Sequence, residues 1–257
     1  MDDAKKSYSG YYKGLGGAIG GDDRFRWVND CLLEGISGKA VLDVGCGEGS
    51  LLRMLKDKGN SVYGIDASQS GQESCRAKGV ECAVVDISSE KFPLKDDSFD
   101  IVLCLETLEH LENPHHCVSE IKRVLKEGGT FIASIPGPKV SHPYIYPGLF
   151  GIKNFREFLW ANGFKILKVK GWGQSPAFTK AKKWLLQKET PLARNTADVL
   201  HYIGRKRNMI MRKHSGTPLN FSHCVNFVCL NRKQEKTLAA RVAEDTKPSP
   251  IRSKITS

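Results

Sequence analysis

Val41-Leu42-Asp43-Val44-Gly45-Cys46-Gly47-Glu48-Gly49 reads as a buried strand that stops in a glycine-rich turn, and the Ser50-Leu51-Leu52 that follows opens a helix. Glycines let the backbone turn tightly and let a ligand come close to the main chain, while the free N–H groups of a helix start attract electron-rich atoms. The segment is therefore a ligand-binding strand-turn-helix. Its spacing is G-x-G-x-G. A dinucleotide fingerprint needs a third small residue one place later to seat a pyrophosphate, and Ser50 stands there instead, so no nicotinamide cofactor is expected.

Outward from this turn, apolar runs of strand length alternate with amphipathic segments of helix length, the pattern of a parallel sheet covered by helices. Strands are predicted near Ala40 to Val44, Ser61 to Ile65, Glu81 to Val85, Phe99 to Leu105, Thr130 to Ile135 and Phe164 to Lys170, with a last one at Cys224 to Leu230. Leu51, Leu52 and Leu55 line one helix. Val118, Ile121, Val124 and Leu125 line another, which Gly128-Gly129 is expected to close. The fold class is thus α/β, a doubly wound, mostly parallel seven-stranded sheet with a helical insertion before the last strand. The organisation follows: an N-terminal flap and helix over 1–38, a core over 39–171, a basic insertion over 172–223, the last core strand at 224–231 and a polar, disordered tail over 232–257.

The motifs resemble those of the class I S-adenosylmethionine-dependent methyltransferases, and of the type 11 group that includes quinone-biosynthesis enzymes. The resemblance spans roughly 39–170 and implies a Rossmann-like core with S-adenosyl-L-methionine as cofactor. By resemblance, Asp43, Gly45, Cys46, Gly47 and Gly49 form the turn under the methionine part of the cofactor. Asp66, with Ala67 beside it, ends the second strand and takes the ribose hydroxyls. Asp86 takes the adenine amino group and the Ile87 N–H its ring nitrogen, and the Leu105 carbonyl holds the methionine ammonium. Taken alone, Asp66 or Asp86 is an ordinary turn or helix cap. Together they sit at the carboxyl ends of consecutive parallel strands, where open α/β sheets bind ligands.

Methyl transfer from a sulfonium is an in-line displacement, so the protein chiefly holds the nucleophile close and excludes water. Helical spacing places Glu106, Glu109 and His110 of Glu106-Thr107-Leu108-Glu109-His110-Leu111 on nearly one face. His110 has the pKa range to take a proton from a phenol or alcohol and is the candidate catalytic residue. The same string resembles the metal-binding pattern of ubiquinone-pathway O-methyltransferases and of small-RNA 2′-hydroxyl methyltransferases; no metal ligand set is assigned on it. His142, Tyr144 and Tyr146, in a proline-stiffened segment after the fifth strand, are candidates for a wall of the acceptor pocket, and Tyr11-Tyr12-Lys13 with the glycines that follow for a flap.

Composition limits the remaining classes. The 257 residues are 40% hydrophobic and 26% charged, which excludes wholesale disorder, and the apolar runs are far short of the roughly 20 residues that span a bilayer. The polar N-terminus lacks a secretory core, and a cytoplasmic protein is expected. Eight cysteines include no C-x-x-C pair and indicate neither zinc site nor disulfide framework. Charge is unevenly held: residues 1–152 carry 17 Lys and Arg against 22 Asp and Glu, whereas 172–223 carry ten against two. Such a field favours an anionic or amphipathic small-molecule acceptor. Nucleic acid and an anionic membrane surface are the alternative partners, the former lacking any recognisable RNA-binding module.

Overall fold

The computed structural model describes residues 21–137, 151–173 and 224–232. In chain order the elements are α1 (Gly21–Cys31), β1 (Ala40–Val44), α2 (Ser50–Asp57), β2 (Ser61–Asp66), α3 (Gln69–Ala77), β3 (Glu81–Val84), β4 (Phe99–Leu105), a 3-10 turn (Leu108–His110), α4 (Pro114–Val124), β5 (Leu125–Pro136), α5 (Ile152–Ala161), β6 (Phe164–Trp172) and β7 (Cys224–Asn231). The sheet has seven strands in the order β3-β2-β1-β4-β5-β7-β6. Strands β1 to β5 pair in parallel, and β7 runs antiparallel between β5 and β6.

Side chains alternate across a strand with a period of two, and the central strands use both faces. Val41 of β1, Ile101, Leu103 and Leu105 of β4 and Ile132 of β5 pack with Trp27 and Val28 of α1, with Leu33 and with Leu51 and Leu55 of α2. Their neighbours Leu42, Val44, Val102, Cys104, Phe131, Ala133 and Ile135 join the opposite layer, against Cys117, Val118, Ile121 and Val124 of α4 and Phe155, Phe158 and Leu159 of α5. This two-sided burial is what makes the fold doubly wound, and each fully covered large side chain contributes about 1.5–3 kcal/mol. The chain leaves β1 toward β2 on one side and returns as β4 on the other. The crevice between them, at the carboxyl ends, is the switch point where such sheets bind ligands.

Two local expectations need correction. The stripe Val118, Ile121, Val124, Leu125 does not continue to Gly128-Gly129: α4 stops at Val124, and Leu125 is already extended and paired with Phe99. The reason lies far along the chain. The Asn231 side-chain amide reaches the carbonyls of Lys122, Leu125 and Lys126 at 3.4, 3.1 and 3.2 Å, satisfying oxygens that a longer helix would otherwise have used. The second correction concerns residue 172, taken as the start of the insertion: Trp172 is the last residue of β6 and pairs with Cys224.

The flap over residues 1–20, His142, Tyr144, Tyr146, the insertion from residue 174 to 223 and the tail from 233 lie outside the described residues.

Candidate active site

The glycine turn is built by backbone contacts that only glycine permits. Gly45 has φ +77°, and its N–H and that of Cys46 both donate to the Ile65 carbonyl, at 2.8 and 3.2 Å, tying the end of β1 to β2. A Cβ on Gly45 would lie 2.5 Å from the Thr107 side chain, so the turn and the loop after β4 are in direct contact. Gly49, at φ +71°, caps α2, and a Cβ there would meet Cys75 Sγ at 2.6 Å. Gly47 differs. At φ +51° it has the same left-handed backbone, but a Cβ would meet nothing within 4 Å, so its outer side is open to a ligand.

The strand-end acids border this opening. Asp66 Oδ2 accepts the Gly47 N–H at 2.8 Å and Oδ1 the Ser68 N–H at 2.9 Å, which fixes the carboxylate and leaves each oxygen a further lone pair. Ala67 beside it is exposed. Asp86 is half-buried, with Oδ1 accepting from Ser88 N–H and Oδ2 from Ser89 Oγ, both at 3.0 Å, and Ile87 next to it is buried. The Leu105 carbonyl ends β4 and accepts from Thr107 Oγ1 at 3.2 Å. Asp43, Gly45, Cys46, Gly47, Gly49, Asp66, Ala67, Asp86, Ile87 and Leu105 thus all stand at the carboxyl ends of four adjacent strands.

Past β4 the structure departs from the helical face anticipated for Glu106, Glu109 and His110. Glu106 has φ +53°, and only Leu108–His110 form a single 3-10 turn, so helical spacing does not align the three. Ser134 holds Glu106 instead: its Oγ accepts the Glu106 N–H at 3.0 Å and donates to Glu106 Oε1 at 2.8 Å. Glu109 is fully buried, and neither of its carboxyl oxygens is hydrogen-bonded to another residue. Burial, and then the nearby Glu106 charge, hold Glu109 well above the usual carboxylate range; burial also raises Glu106. His110 Nε2 lies 3.9 Å from Glu109 Oε1, with a side chain only 10% exposed. The three do not gather into a compact ligand set, as Cys46, Cys75 and Cys82 do.

Asp43 completes an acidic pocket under the turn. Burial, then the Asp66 charge, push its pKa up to about 8. The opposing charge is Arg24 of α1, which favours the ionised forms of Asp43, Glu106 and Glu109. Sequence reasoning missed Arg24, because nothing in a polar N-terminal stretch shows that α1 packs against a sheet beginning at residue 40 and brings its charge to bear on Asp43. It also missed the cysteine cluster, whose members are 29 and 36 residues apart from Cys46.

The glycine turn is fastened to a strand-end acid and the outer side of Gly47 is open, and comparison with known proteins gives this geometry a family. Residues 42–133 match the methyltransferase domain family. The ubiquinone biosynthesis O-methyltransferase of Pseudomonas aeruginosa is 30% identical over 207 residues, covering 72% of this chain and 84% of that protein. That of Pseudomonas paraeruginosa is 35% identical over 150 residues, covering 53% of this chain and 64% of that protein. Several others of the same name are matched over less than half their length. Among solved structures, a chain of the Haloferax volcanii complex with the Trm112 methyltransferase activator has a TM-score of 0.58 at 21% identity, covering 90% of this chain and 97% of its own. The cyclase SpnF follows the same fold at TM-score 0.54 and 22% identity, covering 82% and 80%. The chain belongs to the class I S-adenosylmethionine-dependent methyltransferases, whose methyl donor is S-adenosylmethionine. Among the described residues no helix is long and apolar enough to cross a membrane.

Proposed function

We propose that this chain transfers the methyl group of S-adenosylmethionine to an oxygen of a small-molecule acceptor, a phenol or alcohol with an anionic or amphipathic body. The observation that carries the reading is the Gly47–Asp66 contact beside an open glycine cradle, with Asp86 at the neighbouring strand end. Asp66 and Asp86 are the acceptors for ribose and adenine donors. The Leu105 carbonyl would hold the methionine ammonium, and Arg24 would be the cation for its carboxylate. The zwitterionic methionine end would therefore meet both signs of charge, which suits it better than a purely acidic pocket.

When bound, the cofactor supplies an electrophilic methyl on a sulfonium. The chain's own residues then bind and orient the acceptor and exclude water. His110, whose Nε2 lies 3.9 Å from the buried Glu109 carboxyl, takes the proton of the acceptor hydroxyl as the oxygen attacks. An oxygen acceptor is the reading supported by relatives named as O-methyltransferases of ubiquinone biosynthesis. The net excess of eight positive charges over residues 172–223 supports an acceptor with an anionic group.

Isothermal calorimetry with S-adenosylmethionine and its demethylated product, followed by transfer of labelled methyl to a panel of phenols, carboxylated phenols, RNA and anionic vesicles, tests this. Binding of the cofactor with turnover on the carboxylated phenols, falling as salt rises, is the expected result. Absence of cofactor binding, or label appearing in RNA alone, overturns it.

A further inference from the structure

At the glycine turn, three cysteines from three different elements converge. Cys46 lies in the turn, Cys75 in α3 and Cys82 in β3. Cys46 Sγ is 3.4 Å from Cys82 Sγ and 3.9 Å from Cys75 Sγ, and all three sulfurs lie within 4.8 Å of one another. Glycines make the room. A Cβ on Gly64 would meet Cys46 Sγ at 2.6 Å, and one on Gly49 would meet Cys75 Sγ at 2.6 Å. The Gly47 carbonyl stands close by, 3.4 Å from Cys75 Sγ and 3.8 Å from Cys46 Sγ.

These separations suit a metal. Two sulfurs each about 2.3 Å from a tetrahedral zinc ion are about 3.8 Å apart, close to the distances here, so occupation asks for little movement. Cys46 and Cys75 lie in an apolar cluster with Leu52 and Val80, but their sulfurs also converge on Cys82 Sγ and on the Gly47 carbonyl. From these contacts we infer that Cys46, Cys75 and Cys82 form a structural site for one zinc ion, with a water or the Gly47 carbonyl as fourth ligand.

Charge selects among thiophilic ions. On binding, the three thiols release three protons to solvent, and three thiolates around a divalent ion leave a net charge of −1. A monovalent ion such as copper(I) leaves −2 close to Asp66, whose charge already acts on Cys82. Zinc is therefore the better fit, and the soft donor set excludes magnesium and calcium. Cys82 is partly exposed and offers the entry route, while Cys46 and Cys75 are buried. The ion would tie the cofactor turn to α3 and β3, stiffening the turn at Gly47.

The test uses the full chain, reduced and stripped with a chelator, then titrated with zinc chloride alone and, separately, with cobalt(II) as a spectroscopic probe. Expected are one tightly held zinc per chain, a thiolate-to-cobalt charge-transfer band, and a higher melting temperature with zinc than without. Cys75→Ser and Cys82→Ser should each weaken zinc binding by at least about tenfold and diminish the band, the scale on which metal-site contacts are lost. Cys229→Ser, in the opposite core layer, should leave both unchanged. If Cys75→Ser does not melt cooperatively, the partly exposed Cys82→Ser still decides. No retained zinc, a cobalt spectrum without a thiolate band, or a band indifferent to Cys82→Ser overturns the assignment.

Discussion

The Gly47 N–H and Asp66 Oδ2 lie 2.8 Å apart, so the acid that ends β2 is fastened to the turn that ends β1. One carboxylate thereby organises both edges of the cofactor crevice. Its second oxygen, through Ser68 N–H, also shapes the start of α3, where the Ser68 side chain caps Gly71 N–H. Ligand recognition and scaffold are thus not separable at this residue.

Asp66→Ala should weaken binding of S-adenosylmethionine and of its demethylated product by roughly 1.5–3 kcal/mol, the usual scale for hydrogen bonds to a charged group. Asp66→Asn keeps an oxygen for the Gly47 N–H and should lose less. Calorimetry with the demethylated product distinguishes the two, and equal affinity for Asp66→Ala and the parent would contradict the assignment of Asp66 to the ribose.

Gly45→Ala and Gly47→Ala separate fold from site. Both positions have positive φ, so both carry the backbone penalty, about 1 kcal/mol. At Gly45 the new methyl also strikes Thr107 at 2.5 Å, and the loop after β4 must move, so a stability loss of about 3 kcal/mol or more is expected. At Gly47 the methyl enters open space on the ligand side. Denaturant melts should therefore show Gly47→Ala near the parent while calorimetry shows it defective in cofactor binding. The reverse order would mean that the open side of Gly47 is not the cofactor's side.

Much of this arrangement was legible in the residues because period-two alternation and glycine spacing are local signals. Val41 against Leu42 and Ile132 against Phe131 mark opposite faces of a doubly covered sheet, and Asp66 and Asp86 each close an apolar run. What could not be read is long-range. The end of α4 depends on an amide 106 residues away from Leu125, the geometry of Glu106 on Ser134, and the electrostatics of Asp43 on Arg24. Spacing within Glu106 to His110 suggested a helix because helical periodicity is the default for such a string. The Ser134 contacts and the left-handed Glu106 backbone override it.

Asn231→Ala should cost about 2 kcal/mol, since one buried and two partly buried carbonyls lose their donor together. The loss should appear as a lower melting temperature with no change in cofactor affinity. A melting temperature equal to the parent's would show that water replaces the amide at no cost.

Asp43 makes stability depend on pH in a direction opposite to that of an ordinary salt-bridged acid. Its folded pKa is raised to about 8 from an unfolded value near 3.8, so the folded state holds the proton more tightly. Its contribution is fully present below about pH 4 and is lost as pH rises through about 8. Asp43→Asn, which mimics the protonated form, should match the parent at pH 4 and melt higher by about 10 °C or more at pH 9. Saturating cofactor should narrow the difference if its ammonium favours the ionised acid. A variant that melts below the parent at pH 9 would mean that Asp43 is held ionised, with Arg24 outweighing burial.

His110 is distinguished from a mere brace by how kcat and KM divide. If it takes the acceptor proton, His110→Ala should lower kcat by about 10²- to 10⁴-fold, the range for general-base catalysis, while cofactor affinity stays within a factor of about two. The acidic limb of the pH profile, set by an imidazole whose reference pKa is near 6.5, should disappear with it. Glu109→Gln keeps the shape of the buried side chain and removes the carboxyl 3.9 Å from His110 Nε2. Burial holds the Glu109 carboxyl protonated, so the neutral amide should leave the acidic limb where it is while the fold is retained or gains stability. A His110→Ala enzyme that keeps its kcat and its pH profile would leave the residue as packing at the end of the 3-10 turn, and the acceptor would then have to lose its proton to water.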